Sequence, residues 1–492
     1  NKFYKVDFIS DGQIVSVYDS FALFGYSLKV FAESFSSIGQ KLELDFSKES
    51  FDIQNPKHIE YALNDTTVLL DSVVNFNEAV FNIFGVNVKG TISSTSMAAF
   101  ERTIPDGYVY FGLGAAAEEM AREAYSGGIV FLTDTLHHEN VVSLDVNSMY
   151  PHCMRAYGVP CGTPFLSETF VKDKIGIYRV KVTVPDNLSF GMLGYRDKNG
   201  VCWARGEFET CIFSNELIKA LEIGYEIEIL FGIVFPFVEY PFKDFVDICE
   251  VQRRKYKKQA FEIVIKLIQN SLYGKFATKT TGEEYIIDLE QPDGYSQAFE
   301  AETGEAIADL YVKQTERSTH YMLPHWAGFI TANARLTLID AVIASGYTVI
   351  YGDTDSIKLE IDNAKKLIDS GLIDVGADNY GQFKIDAFYV SFKAHAPKVY
   401  TYIDESGNYG GALKGIPKHK ITQEFLTEVN NGFLPTVYYD SLESFYKYLK
   451  SGNRKVKPQF RRVTDIKNSA NWFESNGAVK SAKINNGVRL KC

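Results

Sequence analysis

Apolar residues recur every three to four positions through NPKHIEYALNDTTVLLDSVVNFNEAVFNIFG, residues 55–85, the period of one helix face. Asn55 suits the cap, Pro56 the first turn and Gly85 the end of that helix. Residues 86–124 mix short segments and lead into AYSGG, a linker. ENVVSLDVNSMYP, residues 139–151, sets Val141, Val142, Leu144 and Val146 close together. It predicts a buried strand that breaks at Asn147 and ends before Pro151. Residues 170–235 alternate in the manner of strands around one helical stretch, FSNELIKALEIGY.

Further on, FKDFVDICEVQRRKYKKQAFEIVIKLIQNSLYG predicts one long helix or two abutting ones stopped by Gly274. The polar stretch 278–320 predicts an inserted hairpin, and GFITANARLTLIDAVIASG a helix ending at Gly346. TVIYGDTDSIKLE, residues 348–360, predicts strand, turn and strand, and SLESFYKYLKSG near the C-terminus a last helix among basic strands. This order of elements predicts an α+β fold with no regular βαβ alternation.

A chain of 492 residues, 46% of them hydrophobic, implies two to four domains. No run of about 18 apolar residues is present, so no membrane-spanning helix is expected. No secretory pattern opens the chain, and the expected location is cytoplasmic. The first residue is Asn1, which suggests a fragment or a processed product. The six cysteines form no CxxC pair, which predicts free thiols and argues against zinc. The net charge of −11 excludes a uniformly basic coat for nucleic acid. Basic residues nonetheless cluster in VQRRKYKK and in the tail from Arg454 to Lys491. Charge alone is satisfied by two solvated helix faces.

The acids carry more information. Asp353 and Asp355 stand one residue apart, so strand geometry would turn them to one face about 6–7 Å apart. Like charges at that distance raise each other's pKa unless a cation intervenes, and oxygen-only ligands suit Mg²⁺ or Mn²⁺. Asp145, which follows a buried apolar run, is the best second contributor, because an unpaired buried charge is costly. Two such acids would form a two-metal site for in-line phosphoryl displacement. Taken alone, a DxD pair also suits a glycosyltransferase or a plain turn. Lys266, Asn270 and Tyr273 fall at i, i+4 and i+7, one stripe of a helix. That stripe suits a nucleotide, and equally an ordinary amphipathic helix.

Together these segments resemble the polymerase motifs of family B DNA polymerases, in the family's order: DVNSMYP, KLIQNSLYG and YGDTDS. The resemblance is strongest to the protein-primed branch of bacteriophages and linear plasmids. AYSGG (Tyr125, Gly127, Gly128) is similar to the YxGG linker, TANAR (Thr331 to Arg335) to the TxxAR template-contact motif, and KVY (Lys398, Tyr400) to the KxY primer-terminus motif. The resemblance implies a right-hand polymerase with palm, fingers and thumb, behind a partial RNase H-like 3′-5′ exonuclease domain. It implies divisions near 1–124 (partial exonuclease and linker), 125–245 (palm with a first insert), 246–278 (fingers), 279–320 (second insert), 321–420 (palm) and 421–492 (thumb). The two inserts sit where the branch carries its terminal-protein regions.

The resemblance further implies that Asp145 and Asp355 ligate two Mg²⁺ ions, with Asp353 in support. Tyr150 would stack under the incoming sugar and exclude a 2′-OH. Lys266 would contact the triphosphate, and Asn270 and Tyr273 would line the dNTP pocket. Gly274 would let the backbone approach the nascent pair. A second triphosphate base is expected at Arg254, with Lys255 and Lys258 as alternatives. Tyr125, Gly127, Gly128, Thr331, Arg335, Lys398 and Tyr400 would contact DNA. The implied partners are primer-template DNA, dNTPs and a terminal-protein primer, with no membrane and a monomeric chain.

The sequence departs from the family pattern at its front. Tyr61 and Asp65 in YALND are similar to the third exonuclease motif (YxxxD), but no DxE precedes them; FDIQ, residues 51–54, has Gln54 where an acid is needed. The expectation is a truncated exonuclease half without proofreading. Two alternatives remain at this level: a DNA-binding relic that does not extend primers, and a DxD glycosyltransferase.

Overall fold

The computed structural model describes residues 5–10, 13–20, 27–44, 52–188, 190–197, 200–257, 259–299, 306–416, 420–433 and 436–442, with strands 456–462, 472–475, 479–485 and 488–491 beyond. Helix α1 is Pro56–Phe84. The Asn55 side chain accepts from the Lys57 N–H, Pro56 stands in the first turn, and Gly85 closes the helix in the left-handed region at φ 69°. Its buried stripe includes Val68, Phe76 and Val80, and the Phe76 ring meets Phe31 and Phe35 edge-on. Helix α2, Ala115–Ala124, leads to the loop 125–128 and strand β1, Val130–Leu132.

Strand β2, His137–Val146, buries Val141, Val142, Ser143 and Leu144 in succession because it is covered on both faces. A two-residue turn follows and helix α3, Met149–Ala156, begins at once. The break at Asn147 is as expected, but the segment leading to Pro151 is the start of a helix. Proline is tolerated in the first turn of a helix, where its missing N–H has no intrahelical partner, so Tyr150 rides on a helix. Two abutting helices follow the first insert: α4, Lys243–Lys255, and α5, Ala260–Asn270. Gly274 does not stop them, since it lies within a further helical turn, Tyr273–Phe276.

The second insert holds three antiparallel strands, 281–287, 296–299 and 306–316, one more than a hairpin. Helix α6, Pro324–Ala344, is apolar on all sides because nearly every residue from Pro324 to Leu336 is buried. Its length and composition would suffice to cross a membrane, yet 78% of its apolar window is buried inside the protein.

The central sheet adds β3 (Tyr351–Asp353), β4 (Ser356–Glu360), β5 (Phe383–Ala396), β6 (Val399–Ile403) and β7 (Tyr409–Leu413). Its order is β7-β6-β5-β2-β4-β3-β1, antiparallel throughout. The five described cysteines are buried and form no disulfide with one another. The expected helix SLESFYKYLKSG lies outside the described residues except for Ser441 and Leu442, which close a strand. A helix does occur at Gln423–Asn430, where none was expected.

Candidate active site

The register of the central sheet sets Asp145 directly opposite Ser356 on one side and Lys384 on the other. The Val146 N–H donates to the Asp355 carbonyl at 2.7 Å, which ties the end of β2 to the β3–β4 turn. Asp355 is in that turn, not in a strand, as the strand-spacing reading had it. Thr354 takes a positive φ of 60°, and the Asp355 N–H donates to the Asp353 carbonyl at 2.7 Å. A tight turn therefore turns the two acids to different partners. The Asp353 carboxylate takes Lys398 Nζ at 2.9 and 3.1 Å and the Thr354 hydroxyl at 2.9 Å. Asp355 is under the influence of Asp145. Burial first, and the Asp145 charge second, push the Asp355 carboxyl up to about 6. Asp145 is raised as well, by burial, against the pull of Lys384 at 3.4 Å. Beneath them Lys358 is 4% exposed, and burial lowers its pKa despite four neighbouring aspartates. Two acids that resist ionisation side by side form a site that favours a bound cation.

That pair fits Mg²⁺ or Mn²⁺ by donor chemistry, since both ions take carboxylate oxygens and complete their shells with water and substrate phosphate. Among the described residues no group of three or more His, Cys, Asp or Glu side chains converges, so water, backbone carbonyls and substrate oxygens would complete the shell.

Beside the acids, the Tyr150 and Tyr273 rings stack in parallel, with centroids 4.6 Å apart and planes 6° apart. This joins α3 to the turn after α5. Lys266 and Asn270 are both exposed on α5, while Tyr273 lies past its end, half-buried against the core. The stripe predicted for three residues thus holds for two, with the tyrosine delivered by the next turn. Arg254 donates to Glu250 (2.8 Å), the Asp378 carbonyl and Asn379 (3.1 Å each) and is largely exposed. Lys255 lies over the Tyr256 ring, and Lys258 lies outside the described residues. The base that reaches the turn after Asp145 is Arg253, whose Nη1 donates to the Ser148 hydroxyl at 2.7 Å. Sequence spacing gave no reason to single it out from its neighbours.

The segments expected to contact DNA divide into exposed and buried. Gly127 is exposed and Tyr125 half-buried, and a cavity of about 970 Å³ opens beside Tyr125, lined also by Arg122, Arg179, Tyr195, Arg196 and Lys279. Gly128 is needed for packing, because a Cβ there would lie 2.7 Å from the Thr354 side chain. Thr331 and Arg335 are interior, at 0% and 2% exposed, so the structure corrects their reading as direct template contacts. Arg335 ion-pairs with buried Glu216 at 2.6 Å and donates to the carbonyls of Ser126 and Gly127. A buried guanidinium persists only where such bonds offset its desolvation, so Arg335 shapes the 125–128 loop from within. Glu216, an acid on an otherwise apolar helix face, went unnoticed in the sequence. Lys398 is exposed, and the Tyr400 ring packs 5.3 Å from Tyr351.

Far along the chain from these groups, Tyr61 and Asp65 share one face of α1. Lys41 Nζ meets both, the Tyr61 hydroxyl and Asp65 Oδ2 each at 2.5 Å. Nothing in the YxxxD spacing pointed to that lysine.

The family model for DNA polymerase type B, organellar and viral, matches residues 47–369. The chain is 27% identical over 456 residues to a DNA polymerase of Kluyveromyces lactis, covering 86% of this chain and 44% of that protein. It is 26% identical over 372 residues to the DNA polymerase of Bacillus phage phi29, covering 70% of this chain and 60% of that protein. The chain therefore spans less than two thirds of either relative. Among solved structures, phi29 DNA polymerase complexed with primer-template DNA and incoming nucleotide substrates superposes with a TM-score of 0.72 at 20% identity. That match covers 94% of this chain and 83% of that one. The shared fold is the right hand of type B polymerases.

Proposed function

The chain belongs to the organellar and viral type B DNA polymerases, and from that premise we propose that it adds dNTPs to a primer 3′-OH under the direction of a template. The observation that carries the reading is the meeting of Asp145 and Asp355 beside the Tyr150–Tyr273 stack. Divalent ions bound there would lower the pKa of the attacking hydroxyl and offset charge on the triphosphate. Asp145 and Asp355 hold that charge in place, Asp353 anchors Lys398 at the primer side, and Lys266 and Asn270 present a cation and an amide to the nucleotide. Tyr150, backed by Tyr273, closes the sugar pocket against a 2′-OH. Arg254 supplies a second cation once it leaves Glu250. The cavity beside Tyr125, which Glu119, Glu123 and Glu209 also line, receives the template, with Arg196 and Lys279 for phosphate and aromatic rings for bases, while Arg122 and Arg179 are ion-paired with Glu118 and Glu123.

On this reading residues 125–245 and 321–420 form the palm around its first insert, 246–278 the fingers and 421–492 the thumb, with 279–320 as the second insert. Priming by a terminal-protein hydroxyl is part of the proposal. It is supported by two inserts placed between the motifs as the protein-primed branch places them.

Primer extension with Mg²⁺, wild type against Asp355→Ala, tests the proposal. Extension by the wild type and its loss in the variant are expected. Binding of primer-template without extension by either protein would identify a relic instead. Attachment of a dNMP to a candidate terminal protein tests the priming step.

A further inference from the structure

Three parts of the fold meet at one guanidinium. Arg253, on α4, is 18% exposed. Its Nη1 donates to the Ser148 hydroxyl at 2.7 Å and to the Tyr380 hydroxyl at 3.2 Å. Its guanidinium carbon lies 5.5 Å from the Tyr380 ring centre. The Tyr380 hydroxyl in turn donates to buried Gln269 of α5 at 3.1 Å. Glu262, the acid placed to fork the guanidinium, stands 3.6 Å away, and Arg253 Nε is buried without a partner. The side chain thus ion-pairs with Glu262 through Nη2 without the two-bond fork and extends Nη1 to the turn after Asp145.

That turn has a special backbone. Ser148 caps α3 at φ 50° and ψ 50°, the left-handed region, although it is not glycine. Such a residue persists when its surroundings over-determine it. Its neighbour Asn147 is fixed by its N–H to the Gln382 carbonyl, its carbonyl from the Gly381 N–H and its side-chain amide to the Asn379 carbonyl, and its Oδ1 accepts from the Ser148 hydroxyl at 3.3 Å. Arg253 holds the Ser148 side chain. Two residues on, Tyr150 meets Tyr273.

We propose that Arg253 is a positioning residue: by holding Ser148 it fixes the start of α3, and through it the placement of Tyr150 in the nucleotide pocket. Helices α4 and α5, which carry Arg253, Gln269 and Lys266, are thereby coupled to the wall that reads the sugar. The adjacent Arg254 has a separate task, since it faces the 378–379 loop. This inference rests on the reading of Tyr150 as a wall of the dNTP pocket.

The test measures KM and kcat for dNTP incorporation, and the preference for dNTP over rNTP, in the full chain carrying Arg253→Met, Arg253→Lys, Ser148→Ala or Tyr150→Val. Loss of one charged hydrogen bond predicts about a tenfold rise in KM and about a tenfold loss of sugar preference in Arg253→Met. The change in kcat stays smaller. Ser148→Ala moves both in the same direction, Arg253→Lys recovers part, and Arg253→Met adds little on top of Tyr150→Val. If Tyr150→Val shifts sugar preference while Arg253→Met and Ser148→Ala leave it unchanged, the proposal is overturned. If Tyr150→Val shifts nothing, the pocket reading fails and the proposal with it. Should Arg253→Met not fold, Ser148→Ala decides the matter alone.

Discussion

Asp355 and Asp65 are both half-buried acids on regular scaffolds, but their surroundings differ. Asp355 faces a second acid, Asp145, and among the described residues no ion pair reaches it. Asp65 faces an ammonium, with Lys41 Nζ 2.5 Å from one oxygen, while its other oxygen is buried without a partner. A third acid, Glu216, is almost fully buried and is met by Arg335. Compensation thus rises from Asp355 to Asp65 to Glu216. An acid beside an acid is left for a cation from solution, whereas one beside a base is neutralised from within. The contrast separates the site proposed to take metal and substrate from two acids neutralised within the scaffold.

The largest expected effect comes from removing the uncompensated charge. Asp355→Asn should lower primer extension by about a thousandfold, ~4 kcal/mol of transition-state stabilisation, while Asp65→Asn leaves extension within about twofold. Stability should move the other way. The Asp355 pKa of about 6 stands above the ordinary carboxylate value near 4. Between those values the folded chain keeps a proton that the unfolded chain has lost, so stability falls as pH rises through that window. Without divalent metal, Asp355→Asn should therefore melt above the wild type at pH 7, with the gap closing toward pH 4. Added Mg²⁺ or Mn²⁺ should raise the wild-type melting temperature and leave the variant's unchanged. Equal melting of both proteins across that range would mean that the two acids do not share a site.

At the compensated extreme, Arg335→Ala strands Glu216 in the interior and should cost about 3–5 kcal/mol in urea unfolding. Replacing both partners with apolar residues, Glu216→Leu with Arg335→Met, should recover most of that stability. Primer-template affinity should stay low, because the carbonyls of Ser126 and Gly127 have lost their donor. Full recovery of binding would remove Arg335 from the shaping of the loop.

How much of this was legible depended on whether a residue's role is local. The helix over 56–84, the buried β2 run and the DTD turn follow from periodicity, caps and turn residues, and the structure has them. The pairing of Asp145 with the 353–355 turn needed the order of motifs, since 209 residues of chain lie between Asp145 and Asp355. Arg335 was misplaced because an arginine among motif residues suggests a ligand, and only tertiary burial shows it facing inward. Arg253, Lys41 and Glu216 escaped notice because each acts on a residue far away in sequence. Such pairings leave no local spacing to read.

Packing around the turn gives an effect of middle size. Gly128→Ala would set a Cβ 2.7 Å from Thr354, and overpacking of that kind costs about 1–3 kcal/mol. The strain falls on the turn that holds Asp355, so extension should drop about tenfold. Thr354→Gly removes the obstructing side chain and suits the positive φ at that position. The double variant should therefore extend better than Gly128→Ala alone. If it does no better, the contact between the loop and the turn has no bearing on the acids.

The smallest effect tests the middle member of the series. Lys41→Met removes the ammonium from Asp65 and Tyr61 but keeps the length of the side chain. Lys41 and Asp65 are 23% and 25% exposed, so water screens part of the loss. The expected cost is about 1–2 kcal/mol, read as a lower melting temperature at pH 7. Extension by Lys41→Met itself should match the wild type, because Asp65 stands apart from Asp145 and Asp355, the acids proposed to hold the divalent ions. A collapse of extension would join the two sites that the series separates. No loss of stability at all would mean that Asp65 never depended on its lysine, and the ranking by compensation would fail at its middle term.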